Sequence, residues 1–204
     1  MLAGSSGESA TLSLAERGQL CKKTKDLALA NGRPDLAITV GCLAGCTRDI
    51  LDQATEGSNN GADFALVLVP SVFHWSMTKP AIVDFFTEVC DRSPIPIVIY
   101  NFPNLCSGLD CDSDMLETLG RHPNMAAVKL TCGNISKMTR VATQFEPSEF
   151  AAVSGQSDLL VAALAAGGAG CISGVVNLFP RVRTPRPPNP WQPLTRFAGP
   201  HRDI

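Results

Sequence analysis

Residues 95–130 read IPIVIYNFPNLCSGLDCDSDMLETLGRHPNMAAVKL. Two short apolar runs, Ile95 to Tyr100 and Ala126 to Leu130, enclose a segment in which apolar residues recur at helical spacing. A nearly continuous apolar run is typical of a strand that is buried on both faces, as strands are in a parallel sheet covered by helices. The stretch therefore predicts one strand–helix–strand unit of an α/β fold.

The same alternation continues along the chain. Candidate strands recur with helical segments between them, at 36–40, 64–69, 95–100, 126–130, 150–154 and 171–176. A (β/α)8 barrel and an open doubly wound sheet both fit this spacing. The chain contains neither Gly-x-Gly-x-x-Gly nor Gly-x-x-x-x-Gly-Lys-Ser/Thr, the phosphate-binding motifs of nucleotide-binding open sheets. Their absence favours the barrel.

The first helix has a clear predicted start. Ser13 is followed three residues later by Glu16, which is the spacing of a capping box. We expect Leu14, Leu20, Leu27 and Ala28 to form the apolar face of this helix. At the other end of the chain, residues 183–204 contain six prolines. We predict that they form a disordered tail outside the domain of residues 1–182.

Composition excludes several classes of partner. The formal net charge is −2 and the sequence pI is about 5.9, so we expect neither nucleic acid nor an anionic membrane as a partner. No apolar stretch is long enough to span a bilayer, and the start resembles no secretory signal. The prediction is a cytoplasmic protein, or a mitochondrial one if a targeting peptide precedes Met1. The eight cysteines lie in predicted core segments and are expected to be reduced thiols, and no spacing predicts a metal site.

Two polar residues stand where (β/α) proteins place reactive groups, at the carboxyl ends of strands. Tyr100 ends one apolar run, and Lys129 lies in the next run, which contains no acid. Desolvation favours the uncharged form of an amine, and an uncharged amine condenses with ketones to a Schiff base. Tyr100 would then be a proton shuttle. The alternatives are a Lys129 that points outward or pairs with a distant acid, and a Tyr100 that is only a core aromatic.

The segment Gly4-Ser5-Ser6-Gly7-Glu8 is a candidate carboxylate-binding loop. Glycine lets the backbone approach a ligand closely, and hydroxyl and backbone N–H groups can donate hydrogen bonds to a carboxylate. The alternative is an ordinary loop before the capped helix.

Together these segments resemble the dihydrodipicolinate synthase and N-acetylneuraminate lyase family of Schiff-base aldolases. The Gly4 to Glu8 segment is similar to the Gly-Thr/Ser-Thr/Ser-Gly-Glu signature of that family, and Tyr100-Asn101-Phe102-Pro103 is similar to its Tyr-Asn-x-Pro turn. Val128-Lys129-Leu130-Thr131 resembles the strand with the Schiff-base lysine. Ser154-Gly155 and Ile172-Ser173-Gly174 resemble later strand ends that line the pocket. The resemblance covers residues 3–182.

The resemblance implies a truncated (β/α)8 TIM barrel over residues 1–182, in which the first β/α unit and the C-terminal helices are missing. It implies that Lys129 forms an imine with pyruvate or with the 2-keto end of a longer acid, and that Tyr100 moves the proton. It assigns substrate binding to Ser5, Ser6, Gly155 and Ile172. It requires neither a metal ion nor an organic cofactor.

Two departures from the family pattern bear on function. Synthase members place an arginine shortly after the Tyr-Asn-x-Pro turn to hold a second carboxylate, whereas residues 104–108 contain none. This favours the aldolase branch, which is a pyruvate-linked class I aldolase cleaving a 2-keto-3-deoxy sugar acid or 4-hydroxy-2-oxoglutarate. Many relatives also carry a tyrosine that is contributed across a dimer interface, at the position where Phe73 or Val72 stands here. Because that tyrosine is absent, the resemblance leaves a homo-oligomer as an open prediction. The alternatives are a dihydrodipicolinate synthase-like condensation enzyme and a truncated, catalytically inactive relative.

Overall fold

The computed structural model describes residues 1–179. Residues 180–204, which include the predicted tail at 183–204, lie outside this part of the chain. Six strands occur, at Thr39–Cys42 (β1), Phe64–Leu68 (β2), Ile97–Asn101 (β3), Met125–Leu130 (β4), Ala151–Ser154 (β5) and Gly170–Cys171 (β6). Six α-helices alternate with them, at Leu14–Ala30 (α1), Thr47–Asn59 (α2), Lys79–Arg92 (α3), Ser113–Gly120 (α4), Ile135–Gln144 (α5) and Leu160–Ala165 (α6).

The strand order confirms the barrel. The six strands form one parallel sheet in the order β1-β2-β3-β4-β5-β6. An open doubly wound sheet reverses its order at a switch point, whereas a barrel adds each strand beside the preceding one. Leu2 makes a further parallel bridge to Val40 at the β1 edge. The first and last segments also approach each other, since a methyl group placed on Gly174 would lie 3.6 Å from Ser6 Oγ.

The apolar core has two layers. The larger layer lies between the sheet and the helices, and its largest fully buried side chains include Phe86, Ile99 and Leu116. The smaller layer is inside the barrel, where Leu66, Val98 and Tyr100 pack together. Alternate residues of a strand point to opposite faces of the sheet, so the side chains of one strand contribute to both layers. Tyr100 therefore faces the interior of the barrel.

Helix α1 begins as predicted but buries a different face. Ser13 Oγ accepts a hydrogen bond from the Glu16 N–H, and the Glu16 carboxylate accepts one from the Ser13 N–H, which confirms the capping box. The predicted face is right for Ala28, which is buried, but wrong for Leu14, Leu20 and Leu27, which are exposed. The other buried positions are Arg17, Gly18 and Cys21. Small side chains there let α1 pack closely against α2.

Two strand predictions need correction at their ends. The first predicted strand, residues 36–40, lies three residues early, because β1 spans Thr39–Cys42. The last, residues 171–176, is reduced to Gly170–Cys171, and a 3₁₀ turn at Gly174–Asn177 follows it. An apolar run alone does not mark where backbone pairing stops, and this accounts for both differences.

Candidate active site

Lys129 and Tyr100 lie side by side inside the barrel. They are register partners on the adjacent parallel strands β4 and β3. Lys129 Nζ lies 4.1 Å from the centroid of the Tyr100 ring. Both residues are buried, with Lys129 7% exposed. The amine thus lies over the flat side of the phenol ring.

The Lys129 amine has no protein partner. Among residues 1–179 it makes neither an ion pair nor a side-chain hydrogen bond, so the alternative of pairing with a distant acid is not observed. Cys171 lies near it on β6. Burial raises the pKa of the Cys171 thiol, and the charge of Lys129 opposes that rise. No acid among the described residues pairs with the amine, so its nitrogen is available to a ligand.

The Gly4 to Glu8 loop contacts the tyrosine directly. Ser5 Oγ and Tyr100 Oη are 3.1 Å apart and share a hydrogen bond. Residues Ser5–Gly7 form a short 3₁₀ turn, in which Ser5 is half-buried and Ser6 is exposed. Ser5 thus lies at the phenol hydroxyl. Ser6 lies beside Gly174, where the first and last described segments meet.

Gly155 and Ile172 lie one step above Lys129 toward the mouth of the barrel. Lys129 pairs with Val153, and Val153 pairs with Gly170. Gly155 and Ile172 are each two residues further along their strands, so they share the inward face. The Gly155 N–H donates to the Leu130 carbonyl at 3.0 Å, and the Ile172 N–H donates to the Ser154 carbonyl at 2.8 Å.

Gly155 has a steric reason to be glycine. A methyl group placed on it would lie 1.8 Å from Thr131 Oγ1, closer than atoms can approach. Thr131 continues β4 two residues beyond Lys129, and its buried hydroxyl has no hydrogen-bond partner in the described structure. The backbone of Gly155 therefore packs directly against the Thr131 side chain of the neighbouring strand end.

A partly buried polar network anchors the loop after Tyr100, and the sequence analysis did not predict it. The Asn101 side chain accepts a hydrogen bond from the Cys111 N–H at 3.0 Å and donates one to Asp110 Oδ1 at 2.7 Å. Lys137, on α5, donates to the same carboxylate oxygen at 2.6 Å. These contacts tie the loop to the helix that follows the Lys129 strand.

A second residue missed by sequence reasoning lies below the Gly4 to Glu8 loop. Arg17 is buried, and its guanidinium donates to Ser9 Oγ at 2.8 Å, to the Ser9 carbonyl at 3.0 Å and to the Gly41 carbonyl. The available signal was the run of small residues Gly18, Cys21 and Ala28 on the same helix face. The leucines of α1 suggested a different buried face, so this signal was not used.

The described residues hold few other candidate sites. No group of three His, Cys, Asp or Glu side chains within residues 1–179 is arranged to hold a metal ion. All eight cysteines are free thiols, and Cys46 is the exposed one. No helix in this part of the chain is long and apolar enough to cross a membrane.

Known proteins share this arrangement of sequence and fold. The family model "Dihydrodipicolinate synthetase family" matches residues 1–184. A Coccidioides immitis (strain RS) protein, named as a candidate mitochondrial 4-hydroxy-2-oxoglutarate aldolase, is 41% identical over 182 residues, which is 89% of this chain and 57% of that protein. The L-threo-3-deoxy-hexylosonate aldolase of Hypocrea jecorina is 35% identical over 186 residues, 88% of this chain and 59% of that protein.

The fold gives the same result. The crystal structure of a Coccidioides immitis protein assigned to the dihydrodipicolinate synthase family superposes with a TM-score of 0.79 at 40% identity, covering 88% of this chain and 55% of that one. The chain thus spans less than two thirds of each of these relatives. Because the family model matches nearly the whole chain, the chain belongs to the dihydrodipicolinate synthetase family.

Proposed function

We propose that this chain carries the catalytic residues of a pyruvate-linked class I aldolase. One observation supports this most directly: a buried lysine amine without an ion-pair partner among residues 1–179 lies 4.1 Å from the ring centroid of Tyr100. An amine needs a desolvated site to be nucleophilic and a nearby acid–base group to move protons. Lys129 and Tyr100 combine the two requirements at the carboxyl ends of adjacent strands, where barrel enzymes place their chemistry.

The proposed reaction begins at Lys129. Its nitrogen attacks the C2 carbonyl carbon of a 2-keto acid, and the carbinolamine loses water to give a protonated imine. The proton of the C4 hydroxyl is then removed and the C3–C4 bond breaks, so that its electron pair moves into the imine. An aldehyde leaves, and the remaining enamine takes a proton at C3. Water hydrolyses the imine, which releases pyruvate and restores the amine.

Tyr100 is the proposed proton carrier. Its hydroxyl is hydrogen-bonded to Ser5 Oγ, so its orientation is held at the entrance to the site. Ser5 and Ser6, with the backbone N–H groups of their turn, are the proposed donors to the substrate carboxylate. Gly155 and Ile172 are the proposed wall above the imine.

The substrate we propose is 4-hydroxy-2-oxoglutarate or a 2-keto-3-deoxy sugar acid. Residues 104–108, which follow the tyrosine turn, contain no arginine for the second carboxylate of aspartate semialdehyde. The names of the Coccidioides immitis and Hypocrea jecorina relatives support the same substrate classes. Condensation of pyruvate with aspartate semialdehyde is the competing activity.

Borohydride trapping tests the proposal. Folded protein is incubated with pyruvate, reduced with cyanoborohydride, digested and analysed by mass spectrometry. We expect a 1-carboxyethyl group on Lys129 in the wild type, no adduct in Lys129→Met, and an unchanged adduct in Lys22→Met, which alters an exposed lysine of α1. Folded wild-type protein without an adduct would support the inactive-relative alternative.

Product analysis then separates the candidate substrates. Trapping-competent protein should release pyruvate from 4-hydroxy-2-oxoglutarate or from a 2-keto-3-deoxy sugar acid, and lactate dehydrogenase with NADH reports that release. Consumption of aspartate semialdehyde together with pyruvate, without cleavage of either keto acid, would favour the synthase alternative.

A homo-oligomer and a mitochondrial location complete the proposal. Phe73 and Trp75 follow β2 on the surface and are 62% and 71% exposed. Large exposed apolar side chains in one loop favour a protein partner, and a second copy is the partner we propose. Sedimentation of wild type and Trp75→Ser tests it.

The Coccidioides immitis relative is named mitochondrial, and fractionation of the source cells tests that location against the cytoplasmic prediction.

A further inference from the structure

Arg17 is a buried cation held entirely by neutral groups. It is 2% exposed, and no carboxylate within residues 1–179 pairs with it. Its hydrogen bonds run instead to the Ser9 hydroxyl, the Ser9 carbonyl and the Gly41 carbonyl. A buried charge is costly unless it is hydrogen-bonded, and Arg17 Nε has no hydrogen-bond partner among the described residues. The three acceptors of the terminal nitrogens therefore need to keep their positions around the guanidinium.

The acceptors stand at the two ends of the Gly4 to Glu8 loop. Ser9 directly follows Glu8, whose φ of 54° lies in the left-handed region that favours glycine. Such a conformation persists only where the surrounding structure enforces it, and Arg17 holds the hydroxyl and the carbonyl of the next residue. At the other end, the loop begins against Gly41. A methyl group placed there would lie 2.0 Å from the Ala3 carbonyl oxygen.

We infer that Arg17 is a positioning residue for the site. From within α1 it fixes both ends of the Gly4 to Glu8 loop, and the loop in turn holds Ser5 Oγ at 3.1 Å from Tyr100 Oη. Arg17 makes no hydrogen bond to Tyr100 or Lys129. The geometric part of this inference stands on the contacts above, and its effect on pyruvate binding rests on the proposed function.

One measurement tests the environment of the Tyr100 hydroxyl without requiring catalytic activity. Tyr100 is the single tyrosine of the chain, so protein labelled with [¹³Cζ]tyrosine gives one resonance that reports the phenol environment. We expect Ser5→Ala to move this resonance and Arg17→Met to move it in the same direction. The double variant should match Ser5→Ala alone, because the effect of Arg17 passes through Ser5.

The controls make this result decisive. Arg48→Met changes an exposed arginine of α2 and should leave the resonance in place. Should Arg17→Met fail to fold, Arg17→Lys keeps the charge but cannot reach all three acceptors, and it serves in its place. A folded Arg17 variant whose tyrosine resonance coincides with that of the wild type would overturn the inference.

Pyruvate trapping tests the effect of Arg17 on substrate binding. We expect Arg17→Lys to raise the pyruvate concentration for half-maximal labelling of Lys129 by about tenfold, which corresponds to one charge-assisted hydrogen bond. The labelling rate at saturating pyruvate should change less. A wild-type half-saturating concentration would refute the link from Arg17 to substrate. Absence of labelling in every protein, including wild type, would instead refute the proposed function and leave the resonance result intact.

Discussion

Ser5 and Tyr100 are separated by 95 positions in the chain, yet their hydroxyl oxygens share a hydrogen bond of 3.1 Å. The bond joins the loop before α1 to the end of β3, so it crosses the interior of the barrel. In the proposed reaction the phenol must keep one orientation toward its substrate, and this bond would hold that orientation.

Removal of the phenol hydroxyl should separate the two stages of the proposed reaction. Tyr100→Phe is expected to lower the rate of keto acid cleavage by about 10²–10⁴-fold, which is the usual contribution of a positioned general acid–base group. Labelling of Lys129 by pyruvate and cyanoborohydride should remain detectable, since the amine is retained. The measurement is the cleavage rate by coupled assay beside the trapped fraction by mass spectrometry.

Ser5→Ala should give a smaller loss, about tenfold, because the phenol remains but loses its partner. Ser136→Ala, at an exposed position on α5, is the matched control and should cleave at the wild-type rate. If Tyr100→Phe cleaved the keto acid at the wild-type rate, Tyr100 would not be the proton carrier.

Much of the site could be predicted because local patterns determined it. The apolar runs around Tyr100 and Lys129 identified two buried strands, and consecutive parallel strands in a barrel align their carboxyl ends. Their register partnership follows from that alignment. The loop of residues 4–8 was recognisable through its glycines and hydroxyls, and these features also belong to the family signature.

Other parts depended on contacts that no local pattern encodes. Leu14 and Leu20 fit an apolar helix face, yet both are exposed, and α1 packs against α2 through small residues such as Gly18 and Cys21. The partners of Arg17 lie 8 and 24 residues away, and those of Lys137 lie on another element. From sequence alone, a charged residue in a helix is predicted to lie on the exposed face. Its burial becomes evident only when the structure shows its hydrogen-bond acceptors.

Gly155 should tolerate no side chain. Gly155→Ala brings a methyl group to 1.8 Å from Thr131 Oγ1, and overpacking of this kind costs about 1–3 kcal/mol of stability. Urea unfolding should report the loss. Gly45→Ala is the control, since its methyl group would meet Val72 at an ordinary 3.4 Å. Adding Thr131→Gly to Gly155→Ala should recover part of the loss, and no recovery would contradict a steric cause.

The ion pair between Lys137 and Asp110 should respond asymmetrically to mutation. The Lys137 side chain is 4% exposed, whereas that of Asp110 is 45% exposed. Asp110→Asn leaves a buried ammonium without its counter-charge, and we expect a loss of about 2 kcal/mol after allowance for solvent screening. Lys137→Met leaves a carboxylate that water can reach, and the expected loss is below about 1 kcal/mol.

Unfolding in urea at neutral pH measures both losses. Lys22→Met breaks a pair in which both side chains are more than half exposed, and it should change the free energy of unfolding by less than about 0.5 kcal/mol. Equal losses from Asp110→Asn and Lys137→Met would contradict the assigned role of burial.

Alkaline pH should destabilise the fold through its buried thiols. Burial raises the pKa of Cys42, Cys90 and Cys111 to about 12, and that of Cys106 to about 11. An unfolded thiol ionises near pKa 8.5. Above that pH the unfolded chain releases protons that the folded chain retains, so the unfolded state becomes relatively more favourable. Stability should be at its full value below about pH 8.5 and fall steadily from there toward the folded pKa values.

The urea midpoint measured in reducing buffer from neutral to alkaline pH tests this expectation. Cys90→Ala lowers stability at neutral pH through the cavity it leaves, but it should make the alkaline decline shallower, since one raised pKa is gone. Cys46→Ala removes the exposed thiol and should leave the slope unchanged. If Cys90→Ala declines as steeply as wild type, groups other than the buried thiols cause the alkaline loss.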